Sequence, residues 1–469
     1  MKSTRLFLYV GFLFATGPLP AATLYVDAAN TNPIAPYTNW ATAAAVIQDA
    51  VDAAAPGDTV LVTNGLYAAG GRAVYGTTIN RVAAVSAVTV RSVNGPQFTI
   101  VQGALESTTV NIRCALLGGA ACLSGFTLTN GSLIWWAPGS IYEDLCGGGV
   151  CCFSSSVVSN CVIAGNQAFR HGGGAYGAHL HRCTVVANSA SGYGGGAAYS
   201  TLNNCHLANN SASDSLDFHF GGGAYHCGLT NCILQGNSAD GGGGAYSSTL
   251  CNCLLSENSA VYEGGGAWGG YLINCTFSRN SASSGGGGIG GEYGGACLLS
   301  NCILYDNTAE TGPNHYNGSA GTTLNSCCTT PMPTNGTGNI TNAPLFVDPD
   351  NGNFHLQSNS PCINAGNNDY APGPTDLDGN PRIVNGTVDM GAYEWQVPAR
   401  FAPLAPPGSG GLALSLSGET NRVYAIQASS NLVNWLWLGQ FTNVPGQPPF
   451  VDTLTPPPPV RFYKASPVP

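Results

Sequence analysis

The chain has 469 residues and a formal net charge of −10 at pH 7; charged residues make up 8% of it, and Lys2 and Lys464 are the two lysines. So sparse and acidic a charge set leaves no basic footprint for nucleic acid. No stretch after the N-terminus reaches eighteen uninterrupted apolar residues, so no transmembrane segment is expected. The surface that remains is neutral and polar, rich in Ser, Thr, Asn and Gly, and suits an uncharged or glycan-like partner.

Lys2 and Arg5 precede an apolar run from Leu6 to Ala15, and the small residues Ala21 and Ala22 follow. This is the pattern of a secretory signal peptide over residues 1–22. The rest is expected to be a secreted monomer, extracellular or on the outer cell surface. Asn39 is placed to cap a helix from Trp40 to Ala55 that Pro56-Gly57 stops. Its apolar face is Trp40, Ala44, Ile47, Val51 and Ala54, at helical spacing, which suits a plug over an open core end. The strand-like stretches "DTVLVTNGLY", "VTVRSV" and "FTIVQG" follow, then "LSGFTLTNG" from Leu123 to Gly131.

A repeat then takes over. Cys161, Cys183, Cys205, Cys232, Cys253, Cys275 and Cys302 recur at intervals of 21 to 27 residues. Each is followed five residues later by asparagine (Asn166, Asn188, Asn210, Asn237, Asn258, Asn280, Asn307) and seven later by alanine. A bulky apolar residue stands two after each cysteine, and Val158 or a leucine three before. Phe126 occupies the cysteine register one unit earlier. The period is too short for helical-pair repeats, and Leu-x-x-Cys-x-apolar alternates as a strand does. The expectation is an all-β fold, a right-handed parallel β-helix over residues 23–396 with regular coils at about 146–330. A leucine-rich repeat has a similar period but not this Cys-x-apolar and Asn spacing.

In that fold the cysteines and apolar residues point inward. The asparagines are expected at a bend, where they tolerate left-handed backbone angles and can also exchange amide hydrogen bonds between coils. Triple glycines such as Gly242 to Gly244 supply another bend; no helix follows them, so they are not a phosphate-binding loop. The ladder cysteines are expected as buried free thiols, while Cys146, Cys151-Cys152 and Cys327-Cys328 lie outside the ladder and are open to bridging. After Cys302 the coils become irregular and should cap the far end against an exposed strand edge. Residues 397–411 are Pro- and Gly-rich and suggest a linker; five short strands in 412–469 suggest a small β-sandwich.

Three groups of residues are candidates for function. The catalytic candidates are loop residues near the glycine triplets: Asp217, His219, Asp240 and Glu263, with Arg170 and His171 beside them. Glu257, Arg279 and Asp306 share one register and fit an exposed charge ladder. An outward aromatic strip, Tyr176, Tyr199, Tyr225, Tyr246 and Trp268, is the candidate carbohydrate-binding surface; "DSLDFHF" and Trp135-Trp136 add aromatics. Asp376, Asp378 and Asn380 in "DLDGN" imitate the start of a calcium loop that lacks the closing glutamate, as "DPDNGN" does. Structural calcium is thus open, and no other cofactor is expected.

The units, with "YVDAAN", "GDTVLVTNGLY", "GFTLTNG" and "DLDGNPRIVNGTVDMGAYE", resemble polymorphic outer membrane protein repeats and the right-handed β-helix proteins of the "choice-of-anchor" class, which share the pectin-lyase-like fold. The resemblance covers most of Thr23 to Glu394. It implies a right-handed coil and a secreted or surface location, but no reaction. The expected role is polysaccharide binding or adhesion without catalysis, with a polysaccharide lyase or glycoside hydrolase as the alternative and an inert spacer as a third reading.

Overall fold

The computed structural model describes residues 21–469 except 105–109, 135–137, 215–217, 292–295, 317–320, 398, 404–411, 419–421, 445, 447, 454–460 and 469. The expected leader (all but its last two residues), Trp135-Trp136 and Asp217 lie outside the described residues. Each repeat unit forms one coil of a right-handed parallel β-helix. Equivalent residues pair in parallel from coil to coil: Leu180 with Leu202, Leu202 with Leu229, Leu229 with Leu250 and Leu250 with Leu272. The strands carrying the residue two after each cysteine build an eleven-stranded parallel sheet. Within it Ile163, Val185, Leu207, Leu234, Leu255, Phe277 and Leu304 stack as one fully buried column.

The N-terminal plug is present, but its helix is broken. Asn39 accepts from the Thr42 amide and caps a single 3₁₀ turn at Trp40–Thr42, and the α-helix runs only Ile47–Ala53. The cause is Ala44, whose N–H donates to Tyr25 while its carbonyl accepts from Asp27, so it joins the first strand. Trp40 packs edge-on against Tyr25 instead of entering the core. Ile47, Ala50 and Val51 still close the core end over Val60, Val82 and Val90.

The asparagine bend is displaced by one residue. The left-handed positions are the residue before each cysteine (Asn160, Arg182, Asn204, Asn231, Asn252, Asn274, Asn301) and the fourth after it (Gly165, Ala187, Asn209, Gly236, Glu257, Arg279, Asp306), with φ between 51° and 64°. The fifth residue after the cysteine turns inward. Asn237 shows the pattern: its Nδ2 donates to Leu207 O and to Asn258 Oδ1, and its Oδ1 accepts from both Asn210 N and Asn210 Nδ2. Buried amides with every bond made are favourable where a lone one would be costly. Glu257, Arg279 and Asp306 form no ion-pair ladder; Glu257 accepts from Gln235, and Arg279 pairs with Asp350.

The glycine triplets are obligatory. Gly242 has φ +64°, and a Cβ on Gly243 or Gly244 would stand 2.2 Å from Ser259 O or 2.4 Å from Gly266 O of the next coil. All eighteen cysteines are free thiols. The ladder continues one rung further than its spacing suggests, since the Cys302 amide donates to Cys327 Sγ at 3.4 Å. Cys328 points the other way and packs with Cys362 and Phe346 outside the coils, while Cys146, Cys151 and Cys152 are buried unbridged. Burial pushes the Cys227 thiol, in a shorter side column, up to about 12, which keeps it protonated and inert.

The chain after the last coils does more than approach the far end. It folds back along the flank of the eleven-stranded sheet, where Phe346, Phe354, Leu356, Met390 and Tyr393 cover Ile233, Leu254 and Ile303. Asn301 fixes it through bonds with Asn367 and Gly391, and Asn252 donates to Thr375 O. The C-terminal β-sandwich has two three-stranded antiparallel sheets meeting at Leu416, Tyr424 and Ile426. One of its strands, Arg400–Pro403, comes from the stretch expected to be linker.

Candidate functional site

Two columns of side chains flank the glycine-triplet bend. The residues just before the triplets form the first: His171, Tyr193, Phe220, Gly241, Glu263 and Gly285, with bridges joining His171 to Tyr193, Phe220 to Gly241 and Glu263 to Gly285. The residues two after the triplets form the second: Tyr176, Ala198, Tyr225, Tyr246 and Trp268, in continuous parallel register. Their alanine neighbours Ala175, Ala197, Ala224, Ala245 and Ala267 are buried, so strand alternation turns the rings away from the core.

The columns interleave into one aromatic array. Tyr193 stacks on His171 at 5.1 Å and on Tyr225 at 4.7 Å; Phe220 stacks on Tyr246 at 4.5 Å, and Tyr225 on Tyr246 at 5.5 Å. Ala198 leaves a gap in the second column. Tyr199, beside it, crosses Tyr176 and Tyr225 edge-on at 5.7 and 5.5 Å and remains 47% exposed. All five aromatics expected on the strip are thus brought together. Trp268 departs from expectation in being 93% buried, as its exposure is 7%. Burial raises Tyr176, Tyr225 and Tyr246, so these rings are neutral phenols at ordinary pH.

His171 belongs to this array rather than to a charged loop. Its Nδ1 accepts from the Tyr193 amide, which leaves Nε2–H to donate to the Tyr142 hydroxyl. Burial pushes it down to about 4, so the ring is neutral. Arg170 lies over the Tyr142 ring at 4.7 Å. Sequence reasoning missed His171 and Tyr193 as stacking rings, and had Phe220 only as one of the aromatics that "DSLDFHF" adds. The signal was their shared position immediately before a glycine triplet.

At one end the array opens into a pocket of about 540 Å³ lined by Phe218, Phe220, Tyr246, Tyr262, Glu263, Trp268 and Ser284. Glycine makes the space. A Cβ on Gly241 would fall 2.4 Å from Trp268 Cε3, so the indole lies over a coil with no side chain there. A Cβ on Gly290 would meet Glu263 Cβ at 2.9 Å and Oε2 at 3.2 Å, so the Glu263 side chain lies over that glycine.

Asp240, the other described acid among the catalytic candidates, is not among the described residues that line this pocket. His219 is almost fully buried between carboxylates, with Nδ1 at 2.8 Å from Asp240 Oδ2 and Nε2 at 3.1 Å from Asp214 Oδ1. Asp240 also accepts from the His219 amide. These bonds pin the insertion that carries Phe218 and Phe220, which makes His219 and Asp240 supports of the pocket wall. Far from the array, Asp376 is fully buried; its Oδ1 accepts from the amides of Asp378 and Asn380 and its Oδ2 from that of Glu394. Asp378 pairs with His355, and Asn380 accepts from Arg422. Among the described residues no three His, Cys, Asp or Glu side chains are grouped to hold a metal ion.

Fold and site together define a parallel β-helix with an aromatic face. No family model and no curated protein matches the sequence. Among solved structures, pectate lyase Pel9A is similar with a TM-score of 0.49 at 15% identity, over 80% of this chain and 96% of that one. XylC in complex with xylose gives 0.38 at 8% identity, over 79% and 98%. A polygalacturonase from Erwinia carotovora ssp. carotovora gives 0.26 at 10%, over 66% and 86%. These likenesses concern the course of the backbone and lend no residue role to this chain. No described helix is long and apolar enough to cross a membrane.

Proposed function

We propose that the protein is a secreted or surface-displayed binder of neutral polysaccharide that holds its ligand along the aromatic face without cleaving it. One observation carries this reading: the array is continuous from Tyr176 to Trp268, and its rings stay partly exposed from Tyr176 to Tyr246. Four coil steps of about 4.8 Å make it about 19 Å long. Partly exposed Tyr176, Tyr199, Tyr225 and Tyr246 offer ring surface to the apolar faces of sugars and phenolic hydroxyls to their polar edges. With a net charge of −10 and two lysines, the chain would repel polyanions, which favours an uncharged glycan.

Hydrolysis of a glycosidic bond ordinarily needs two carboxyl groups flanking it. Glu263 is the one carboxylate among the described lining residues of the pocket, and Asp240 is committed to His219. The test is a glycan screen in which reducing ends and unsaturated-uronate absorbance are followed in the same wells. Retention without product supports the proposal. Product that disappears in Glu263→Gln would replace it with an enzyme, and neither retention nor product would leave a spacer.

A further inference from the structure

The C-terminal β-sandwich carries an apolar surface of its own, apart from the aromatic face of the coils. At the turn between its strands Arg422–Ser429 and Leu436–Asn443, Leu432 and Val433 are 57% and 76% exposed. Leu436 and Trp437 follow at 56% and 61%. Looseness does not account for this exposure. Asn431 Oδ1 accepts from the amides of Val433 and Asn434, and Ser429 Oγ accepts from the Asn431 amide. These bonds frame Leu432 at φ +62°, a left-handed angle that leucine rarely adopts. The turn thus fixes two aliphatic side chains outward where turns ordinarily carry Gly, Asn, Asp or Ser.

The strand register adds a polar level behind this tip. Trp437 pairs with Gln427 and Gln427 with Lys464, so the three side chains share one face of the sheet. Phe462, two residues before Lys464, lies on the same face. The Lys464 ammonium stands 4.5 Å from the centroid of the Trp435 ring. Aliphatic side chains at an apex, with tryptophan and lysine behind them, form the pattern of a segment seated at a membrane–water boundary. Stacking on sugars would place ring faces at the apex, not Leu432 and Val433.

Charge sets the tip apart from the rest of the chain. Residues 397–469 hold four cations (Arg400, Arg422, Arg461, Lys464) and two acids (Glu419, Asp452), whereas residues 23–396 hold eight cations and twenty-two acids. Asp452 is buried and engaged by Arg461 and the Tyr463 hydroxyl. Bonds from Arg422 to Gln396 and Asn380 join the sandwich to the body. They lie at the far end of the strand Arg422–Ser429, about 24 Å from the turn at about 3.4 Å per residue. Screening over about 8 Å at physiological salt separates the two ends. The charge that acts at the tip is therefore its own, and it is positive.

We infer that the tip of the C-terminal sandwich docks on a lipid bilayer with anionic headgroups. Leu432, Val433, Leu436 and Trp437 enter the acyl boundary and Lys464 meets the phosphates. The inference goes beyond the glycan reading and does not depend on it.

Flotation with glycan-free vesicles tests it, so a failed polysaccharide screen leaves the result unaffected. The protein used is the chain from Thr23 onward, free of the apolar run Leu6 to Ala15 that would itself favour lipid. The vesicles are phosphatidylcholine alone and phosphatidylcholine mixed with phosphatidylglycerol, at physiological salt. The protein should partition onto the mixed vesicles at least about fivefold more strongly than onto phosphatidylcholine alone. Val433→Asp should weaken that partitioning by about tenfold or more, and Lys464→Gln by about fivefold. Thermal melts check that both variants fold. No flotation with either vesicle, equal partitioning onto the two, or unchanged partitioning of either folded variant would overturn the inference. Self-association that Val433→Asp abolishes, without flotation of the wild type, would overturn it in favour of a second copy of the chain.

Discussion

Two surfaces of the same coils carry unusual amounts of apolar side chain, and they are treated in opposite ways. On the flank, Ile233, Leu254 and Ile303 point outward and the chain returns to cover them with Phe346, Phe354, Met390 and Tyr393. On the face of the glycine-triplet bend, Tyr176, Tyr199, Tyr225 and Tyr246 pack on one another and stay partly exposed. An apolar patch covered by its own chain is core. One left open, built of amphipathic rings that hold one another in place, is a surface prepared for a partner.

The largest contrast should come from substitution on each surface. Met390→Asp places a charge in the covered flank and should cost about 3 kcal/mol or more of stability by denaturant unfolding. Tyr199→Ala on the open face should cost about 1 kcal/mol or less. Similar losses at both positions would erase the distinction.

The two regions should also respond to pH with opposite signs. In the flank segment, burial raises Glu394 to about 8 and raises Asp376 and Asp389 as well. A raised folded pKa favours the protonated form, so this stability is complete below the ordinary carboxyl range and is lost as pH climbs toward 8. Glu394→Gln, less stable throughout because a backbone N–H loses its acceptor, should show a shallower decline. On the aromatic face, buried His171 is lowered to about 4; its stability is complete above the ordinary histidine value and is lost as pH falls toward 4. His171→Phe should reduce the acid-side loss. Melting curves across pH 4 to 9 check both signs.

Smaller effects sharpen the account of the interior and the flank turn. Denatured protein should titrate all eighteen cysteines as free thiols without reductant; a count lower by two or more would show bridging. Chelator should leave the melting temperature unchanged, because main-chain N–H groups already occupy both oxygens of Asp376. A fall on chelation would restore the calcium-loop reading of "DLDGN".

Much of the coil was legible because each repeated position has one physical duty. Leu three before cysteine, the apolar residue two after, Phe126 and the glycine triplets all hold the places their spacing implies. The asparagine misled because it has two competing talents, a left-handed backbone and a pairing amide. Stacking at the coil spacing favours the amide, and its neighbour takes the turn. Ala44 broke the expected helix because a strand partner, Val26, lies across space where no sequence period shows it. The fold-back of residues 340–396 was legible only in part: the position after the cysteine is apolar at Ile233, Leu254 and Ile303, but it is also apolar at Val162, and it is polar at Thr276, whose hydroxyl accepts from the Ala392 amide under the fold-back. At the candidate site the second aromatic column was foreseen and the first was not, because its members differ in type and share only their place before the glycines.

The most direct test of the central claim uses the polysaccharide best retained in the screen. Its affinity is titrated against wild type and Tyr199→Ala, while reducing ends are followed in the same solution. The account predicts binding to wild type, about tenfold weaker binding to the equally folded variant, and a polysaccharide of unchanged length. Undiminished affinity in Tyr199→Ala, or progressive shortening of the chain, would contradict it.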